Sequence, residues 1–175
     1  MNNQDLKNNI QLIPEACQKI IEKIEKTFSQ AIKEKKFDRG ELTLIIKKEF
    51  LIPLAEFLKS EPDLDFNFLS DICAVHFPQE KEFEVVYNLF SINLHHRLRL
   101  KIRIKEDESV SSLIRVWETA NWLEREVFDL SGVKFEGHPD LKRILLPEEW
   151  VGHPLRKDYP LIGEQKSEDR SQKTE

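Results

Sequence analysis

The sequence predicts an α+β protein, a two-layer helix/sheet domain with a largely antiparallel or mixed sheet. Residues 97–105 alternate basic and apolar side chains, which is the period of a half-buried strand. Residues 14–36 repeat apolar side chains every three or four positions, as an amphipathic helix does. Residues 131–162 show neither period, so we expect an extended irregular C-terminal arm after the domain.

The composition fits one soluble domain. The chain has 175 residues, of which 39% are hydrophobic and 34% are charged, and its net charge is −5. An acidic balance argues against a nucleic-acid-binding protein, because such proteins carry basic surfaces. No apolar run approaches the ~18 residues that a membrane span needs, and the polar N-terminus does not resemble a signal peptide. We therefore expect a cytoplasmic chain, or one that docks on a membrane complex from the cytoplasmic side.

The first half of the chain mixes helices and strands. Pro14 opens the first helix, which is predicted to end near residue 36, and residues 38–40 form a turn. Residues 41–47 are rich in β-branched side chains and predict a strand. Residues 49–59 carry an apolar stripe that predicts a helix. Residues 65–77 are mixed in character and are expected to lead into a further strand.

A hairpin and a helix are predicted next. Residues 82–94 are rich in β-formers and precede the strand of residues 97–105 closely, so the two should pair as an antiparallel hairpin. The basic face of the second strand favours a solvated or protein-contacting surface over a nucleic-acid site, because no aromatic side chains interleave with it. Ser111 or Ser112 is expected to cap a helix that runs to about residue 127.

The C-terminal arm is apolar but lacks a local period. Four of the eight prolines lie between residues 124 and 160, as do three of the five glycines. Such apolar side chains must be buried by something other than their own element, and a partner surface is the favoured interpretation. Packing over the chain's own sheet is the alternative. The predicted organisation is a polar N-terminus at 1–13, an α+β domain at 14–130, a partner-binding arm at 131–162 and a disordered tail at 163–175.

The sequence offers little to an autonomous enzyme. Cys17 and Cys73 lie 56 positions apart and predict buried free thiols, with no ligand spacing for zinc or an iron–sulfur cluster. No nucleophile elbow, phosphate loop or metalloprotease motif is found. One alternative is a stand-alone metal-dependent enzyme, for which the four candidate ligands are His138, Asp140, His153 and Asp158. Their spacing matches no ligand motif, and a histidine between Gly and Pro is more readily explained by hydrogen bonds to backbone.

Charged residues cluster at the end of the last helix and beyond it. Glu124, Arg125, Glu126 and Asp129 predict ion pairs within the chain or with a partner. Lys142, Arg143, Arg156 and Lys157 follow, and these donors suit carboxylates on another protein. A solvated surface is the alternative for both groups.

Three segments resemble the C subunit of the proton-pumping NADH–quinone oxidoreductases, the 30-kDa subunit family of respiratory complex I. They are Glu124–Gly132, Phe135–Leu145 and Trp150–Pro160, and the resemblance extends over roughly residues 40–160. It implies a small α+β domain with an extended arm, and a non-catalytic role in which no residue of this chain is catalytic, binds a cofactor or holds a metal.

The resemblance also implies the partners. The chain would pack on the D subunit of the complex, near the B subunit and the quinone-reducing end, while FMN and iron–sulfur clusters reside in partner subunits. It would lie peripherally on the cytoplasmic side of the bacterial inner membrane. An equivalent component of a membrane-bound hydrogenase or of a deazaflavin-linked dehydrogenase is the alternative. The residues expected at the partner interface are Glu124, Arg125, Glu126, Asp129, His138, Lys142, Arg143, Trp150, His153, Arg156, Lys157, Asp158 and Tyr159.

Overall fold

The computed structural model describes residues 13–160. The predictions for residues 1–12 and for the tail at 163–175 lie outside the described residues. Three helices and seven strands form within residues 13–160, with a 3-10 turn at Lys48–Phe50 before the second helix. In chain order they are α1 (Glu15–Phe28), β1 (Ile32–Asp38), β2 (Glu41–Ile46), α2 (Leu51–Ser60), β3 (Phe68–Phe77), β4 (Glu82–Phe90), β5 (Arg97–Lys105), β6 (Ser109–Ser111), α3 (Ala120–Ser131) and β7 (Lys134–Glu136).

Five strands form one mixed sheet in the order β1-β2-β5-β4-β3. The β1–β2, β5–β4 and β4–β3 neighbours are antiparallel, whereas β2 and β5 run parallel. The hairpin of β4 and β5 is confirmed, with Phe90 opposite Arg97 at its closed end. Strands β6 and β7 form a separate parallel pair. The mixed sheet is therefore as the sequence predicts.

One face of the sheet builds the hydrophobic core. The four apolar side chains of β5, from Leu98 to Ile104, are each at most 2% exposed, and their partners on β4 are also buried. They join a single apolar cluster with side chains of α1, α2 and α3. The ring centres of Phe28 on α1 and Phe57 on α2 lie 5.4 Å apart, so these two helices also contact each other. The structure thus confirms the α+β class with helices over one sheet face.

The basic side chains of β5 occupy the other face, where Lys101 and Arg103 pair with carboxylates of β4. Lys101 Nζ lies 2.8 Å from Glu84 Oε1, and Arg103 Nε lies 3.2 Å from Glu84 Oε2. The Arg103 guanidinium also lies 3.8 Å from the centre of the Phe77 ring. These cross-strand ion pairs neutralise the charges of two basic side chains of β5 within the sheet itself.

The predicted first helix is too long at its C-terminal end. It ends at Phe28, and residues 32–38 form the edge strand β1 instead. Arg39 and Gly40 have φ values of +49° and +82°, and they form a two-residue turn between Asp38 and Glu41. Such a turn favours a hairpin, so pairing with β2 overrides the helical period of the Lys- and Glu-rich segment.

The last helix begins later than predicted. Ser111 lies in β6, which pairs with β7, and Ser112 N–H donates to the Glu136 carbonyl at 2.8 Å. Helix α3 starts only at Ala120 and ends at Ser131, four residues beyond the expected end. The pairing of β6 with a strand more than twenty positions away is a non-local interaction, which the local pattern did not reveal.

Two further expectations are corrected. Val133 and Phe135 are 2% and 4% exposed and belong to the core, so the segment that runs along the surface begins after Glu136 rather than at residue 131. We call residues 137–160 the outer arm.

Cys73 is exposed, not buried, because it alternates on β3 with side chains that face the core. Cys17 is half-buried.

Candidate functional site

The outer arm folds back onto the C-terminal end of α3. Gly132 closes this helix in the left-handed conformation, with φ of +81°, and its N–H donates to the Phe128 carbonyl at 2.9 Å. The Leu155 N–H donates to the Leu130 carbonyl at 2.8 Å. The last turn of α3 is therefore the surface on which the arm rests.

Asp129 is the centre of this junction. Its side chain is fully buried, and Oδ2 accepts the backbone N–H groups of Ile144, Leu145 and Leu146 at 3.0, 2.7 and 3.0 Å. Burial by itself would raise the pKa of this carboxyl. The backbone donors and Arg143 outweigh that effect, and they lower the pKa to about 2. The carboxylate thus stays charged at neutral pH and orders a turn of the arm.

Arg143 joins the same carboxylate to the rest of the arm. Its Nη1 lies 2.7 Å from Asp129 Oδ1 and also donates to the Asp129 carbonyl at 3.0 Å. Its Nη2 donates to the carbonyls of Trp150 and Gly152 at 3.0 and 2.9 Å. One largely buried guanidinium therefore connects α3 with two separated points of the outer arm, a use that suits its fixed array of donors.

Two glycines admit aromatic rings at close range. A Cβ on Gly132 would lie 2.6 Å from His153 Cδ2, and a Cβ on Gly152 would lie 2.7 Å from Tyr159 Cε2. His153 Nδ1 donates to the Asp129 carbonyl at 2.9 Å. Both glycines also have positive φ, so space and backbone conformation each favour glycine there.

His138, in the first part of the outer arm, contacts α3. Its Nδ1 accepts the Asp140 N–H at 3.1 Å, so Nε2 carries the proton and donates to the Asn121 carbonyl at 3.1 Å. His153 bonds to the Asp129 carbonyl of the same helix. Both histidines that follow glycine and precede proline thus bond to backbone, as the sequence suggested.

Arg125 supports the same part of the arm from α3. Its Nε donates to the Lys142 carbonyl at 3.2 Å. Its guanidinium lies 4.9 Å from the centre of the exposed Trp122 ring. Arg125 therefore connects an exposed aromatic side chain of the helix with the backbone of the arm.

Glu124 is buried in a different environment. Its side chain is fully buried, and Oε1 accepts the Leu113 N–H at 2.7 Å, while Oε2 has no hydrogen-bond partner. Burial raises the pKa of this carboxyl to about 7, against the opposing hydrogen bonds of Ser112 and Leu113. Burial, with the nearby Glu124 charge, also raises the pKa of Tyr87 well above its usual value.

The residues that were expected at the partner interface differ in how far they are exposed. Glu124 and Asp129 have no exposed side chain, so a surface role for these two does not fit the fold. Arg125 and Arg143 donate hydrogen bonds to backbone carbonyls of the chain itself. The remaining residues of that set keep some exposure, and they are Glu126, His138, Lys142, Trp150, His153, Arg156, Lys157, Asp158 and Tyr159.

The four candidate metal ligands do not form a common site. His138 and His153 bond to carbonyls of different turns of α3, Asp140 pairs with Lys142, and Asp158 pairs with Arg156. Among residues 13–160, no group of three or more His, Cys, Asp or Glu side chains is arranged to hold a metal ion.

Several large apolar side chains of α3 and the outer arm are exposed. Ten such exposed side chains occur in the described part of the chain, and five of these belong to α3 or the outer arm. We call these five the arm surface; they are Trp122, Leu145, Trp150, Val151 and Leu155, which are between 42% and 86% exposed. Exposed apolar groups in such number are typical of protein–protein contacts.

Sequence reasoning missed one pair of residues at the far end of the arm. His76 and Glu106 bind the segment that contains Arg156 and Lys157. No local signal marks them, because His76 lies 30 positions from Glu106 and 81 from Lys157.

Residues 44–165 match the model of a protein family described as "Respiratory-chain NADH dehydrogenase, 30 Kd subunit". The chain belongs to this family. Its curated relatives include the C subunit of NADH-quinone oxidoreductase from Geotalea uraniireducens, which is 48% identical over 81% of this chain and 86% of the relative. NADH-ubiquinone oxidoreductase subunit 9 of Reclinomonas americana is 47% identical over 79% of this chain and 68% of the relative.

A solved structure supports the same membership. The chain is similar to one chain in the structure of the membrane-bound sulfane sulfur reductase, an archaeal respiratory membrane complex, with a TM-score of 0.73 and 26% identity. The similarity covers 85% of this chain and 88% of the other. Among the described residues, no helix is both long and apolar enough to span a bilayer.

Proposed function

We propose that this chain is a non-catalytic subunit in the peripheral arm of a proton-pumping NADH–quinone oxidoreductase. It scaffolds the quinone-reducing module while the complex moves electrons from NADH, through FMN and iron–sulfur clusters in partner subunits, to quinone. The relatives named as C subunits of that enzyme, one of them 48% identical over 86% of its length, carry this proposal. The whole complex is the enzyme, and this chain contributes no reacting group.

The arm surface is the proposed contact with the D subunit, beside the B subunit, on the cytoplasmic side of the bacterial inner membrane. Exposed charged and polar side chains of α3 and the outer arm accompany the apolar ones of this surface along the chain, among them Glu126, Lys142 and Lys157. An apolar centre with a polar rim is the usual composition of a protein interface. The buried Asp129–Arg143 pair supports this surface from beneath.

The test is co-purification from membranes solubilised in mild detergent. A tagged chain should recover the D and B subunits together with bound flavin and NADH–quinone reductase activity. Leu155→Asp, on the arm surface, should abolish recovery because it places a charge in an apolar contact. Ile52→Asp is the matched control, since Ile52 is an exposed apolar side chain of α2. Equal recovery with both variants would contradict the proposed contact.

A related respiratory complex with another electron donor is the second candidate. The similarity to a chain of the archaeal membrane-bound sulfane sulfur reductase favours it, because a similar chain serves a complex whose name contains no NADH. The same co-purification separates the two. Recovery of hydrogenase-like or reductase-like subunits, without flavin and without NADH oxidation, would replace the first proposal with this one.

A further inference from the structure

A buried histidine receives the end of the outer arm. His76, at the end of β3, is 2% exposed and stacks on the Phe83 ring at 4.8 Å. Its Nδ1 accepts the backbone N–H of Lys157 at 3.1 Å. Because a backbone N–H only donates, Nδ1 carries no proton, so Nε2 carries it and donates to Glu106 Oε1 at 2.7 Å. Both ring nitrogens are therefore used, one toward the arm and one toward the residue after β5.

Glu106 binds the arm as well. Its other carboxylate oxygen, Oε2, lies 3.1 Å from Arg156 Nη2, and the Arg156 guanidinium lies 5.3 Å from the centre of the Phe83 ring. His76, Glu106 and Arg156 thus form one connected network on the edge of the core. Lys157 adds an ammonium group 5.1 Å from the centre of the Phe77 ring.

This network contacts the part of the outer arm that lies beyond its hydrogen bonds to α3. The Asp129 contacts reach residues 143–146 and 153, and Leu155 bonds to Leu130. Among the described residues beyond Leu155, the hydrogen bond that leaves the arm goes to His76 and the ion pair that leaves it goes to Glu106. The Asp158 carboxylate lies 3.6 Å from His76 Nδ1. Without these contacts, no hydrogen bond or ion pair would join residues 156–160 to the described residues outside the arm.

We propose that His76, positioned by Glu106, fastens the end of the outer arm to the sheet, so that the chain alone sets the path of the arm before any partner binds. A surface that is ordered in advance loses less conformational entropy on association. The inference concerns the conformation of this chain, and it holds whichever complex the chain joins.

Two amide variants separate the two hydrogen bonds of the ring, and both remove its stacking on Phe83. His76→Asn places an amide oxygen near the Nδ1 position and keeps an acceptor for Lys157 N–H. His76→Gln places an amide nitrogen near the Nε2 position, toward Glu106, but leaves Lys157 N–H without its acceptor. His96→Gln is the control, because His96 is a half-buried histidine just before β5 that forms no hydrogen bond or ion pair with the described residues of the outer arm. Amide hydrogen exchange of the full chain reports the outcome at each residue.

We expect His76→Gln to speed exchange of the Lys157 amide about tenfold, the loss of roughly one hydrogen bond. His76→Asn should stay within about threefold of the wild-type rate, and His96→Gln should match it. An unprotected Lys157 amide in the wild-type chain would overturn the proposal, as would equal rates in the Gln and Asn variants.

A second variant keeps the test decisive if His76→Gln destabilises the whole fold. Glu106→Gln weakens the ion pair with Arg156, and Glu106 is partly exposed, so the core should tolerate the change. Exchange should then rise at the amides of residues 156–159 while amides of β4 and β5 keep the wild-type rate. Unchanged exchange at residues 156–159 in Glu106→Gln would contradict the proposed network.

Discussion

Glu124 and Asp129 lie five positions apart on α3 and are both fully buried, yet their surroundings move their pKa values in opposite directions. Asp129 has the backbone donors of residues 144–146 and the guanidinium of Arg143, whereas one oxygen of Glu124 has no hydrogen-bond partner. The same helix thus carries one carboxylate that orders the arm and another that is costly to ionise.

Replacing Asp129 should detach the outer arm. Asp129→Asn removes the charge that Arg143 and three backbone N–H groups share, and breaking such a buried pair costs about 3 kcal/mol. Chemical denaturation should show that loss, and amides of Ile144, Leu145 and Leu146 should exchange faster. Asp140→Asn is the control, because Asp140 pairs with Lys142 on the exposed surface and should change neither readout. Wild-type protection at residues 144–146 in Asp129→Asn would contradict this role.

The same carboxylate makes the arm sensitive to acid. Its folded-state pKa of about 2 lies below the ordinary 3.8, so its stabilising effect is complete above about pH 4 and is lost as pH falls toward 2. Glu124 acts in a separate and higher pH range, which allows the two contributions to be measured independently.

Glu124 should make stability fall as pH rises from about 4.5 to 7. Its pKa rises from 4.5 to about 7 on folding, so the folded state binds more protons than the unfolded state across this window. The loss can reach about 3 kcal/mol. Urea denaturation should show that the wild type loses stability relative to Glu124→Gln as pH rises across this window. The comparison also removes the opposite contribution of His96, whose pKa is lowered by burial. Identical slopes would refute the assignment.

Gly132 should resist substitution more strongly than a glycine of positive φ that has open space around it. Gly132→Ala meets both the left-handed backbone and the His153 ring, which lies 2.6 Å from the new Cβ. Gly40→Ala is a matched control with φ of +82° and no atom within 4 Å of its Cβ. We expect a loss of about 1 kcal/mol for Gly40→Ala and a clearly larger one for Gly132→Ala in thermal denaturation. Equal losses would mean that the His153 contact contributes nothing.

The sequence predicted those parts of the fold that local period determines. Strand β5 alternates strictly, and its bounds, Arg97–Lys105, are as expected. Strand β1 was mistaken for helix because Lys and Glu side chains fill an exposed edge, so only its hairpin with β2 identifies it. The role of His76 was missed for the same reason, since its partners are distant along the chain and no local pattern reports them.

The predicted arm was right in its irregularity and incomplete in its contacts. Its apolar side chains without period do include exposed ones, such as Val151 and Leu155. However, the charges expected to reach a partner include Asp129 and Arg143, which bind each other. Counting charges in a sequence does not reveal whether a carboxylate is satisfied by its own chain, because that depends on how the arm returns to α3.

Two truncations locate the boundary between core and arm. Deleting residues 137–175 leaves Val133 and Phe135 in the core, so residues 1–136 should fold and remain monodisperse. Deleting residues 132–175 removes both side chains, and the loss of a buried phenylalanine alone costs about 3 kcal/mol. Circular dichroism and size-exclusion chromatography should show a cooperative transition only for the longer chain. A folded 1–131 chain would place the boundary where the sequence pattern first suggested it.

We propose that the chain docks on its complex through the arm surface. The most direct measurement places a photo-crosslinking amino acid at Leu155 in native membranes and, as a control, at Ile52, and identifies the adducts by mass spectrometry. Leu155 is 60% exposed on the outer arm, and Ile52 is 38% exposed on α2. We expect a crosslink from position 155 to the D subunit of the complex and none from position 52. Adducts to the D subunit from position 52 alone would contradict it.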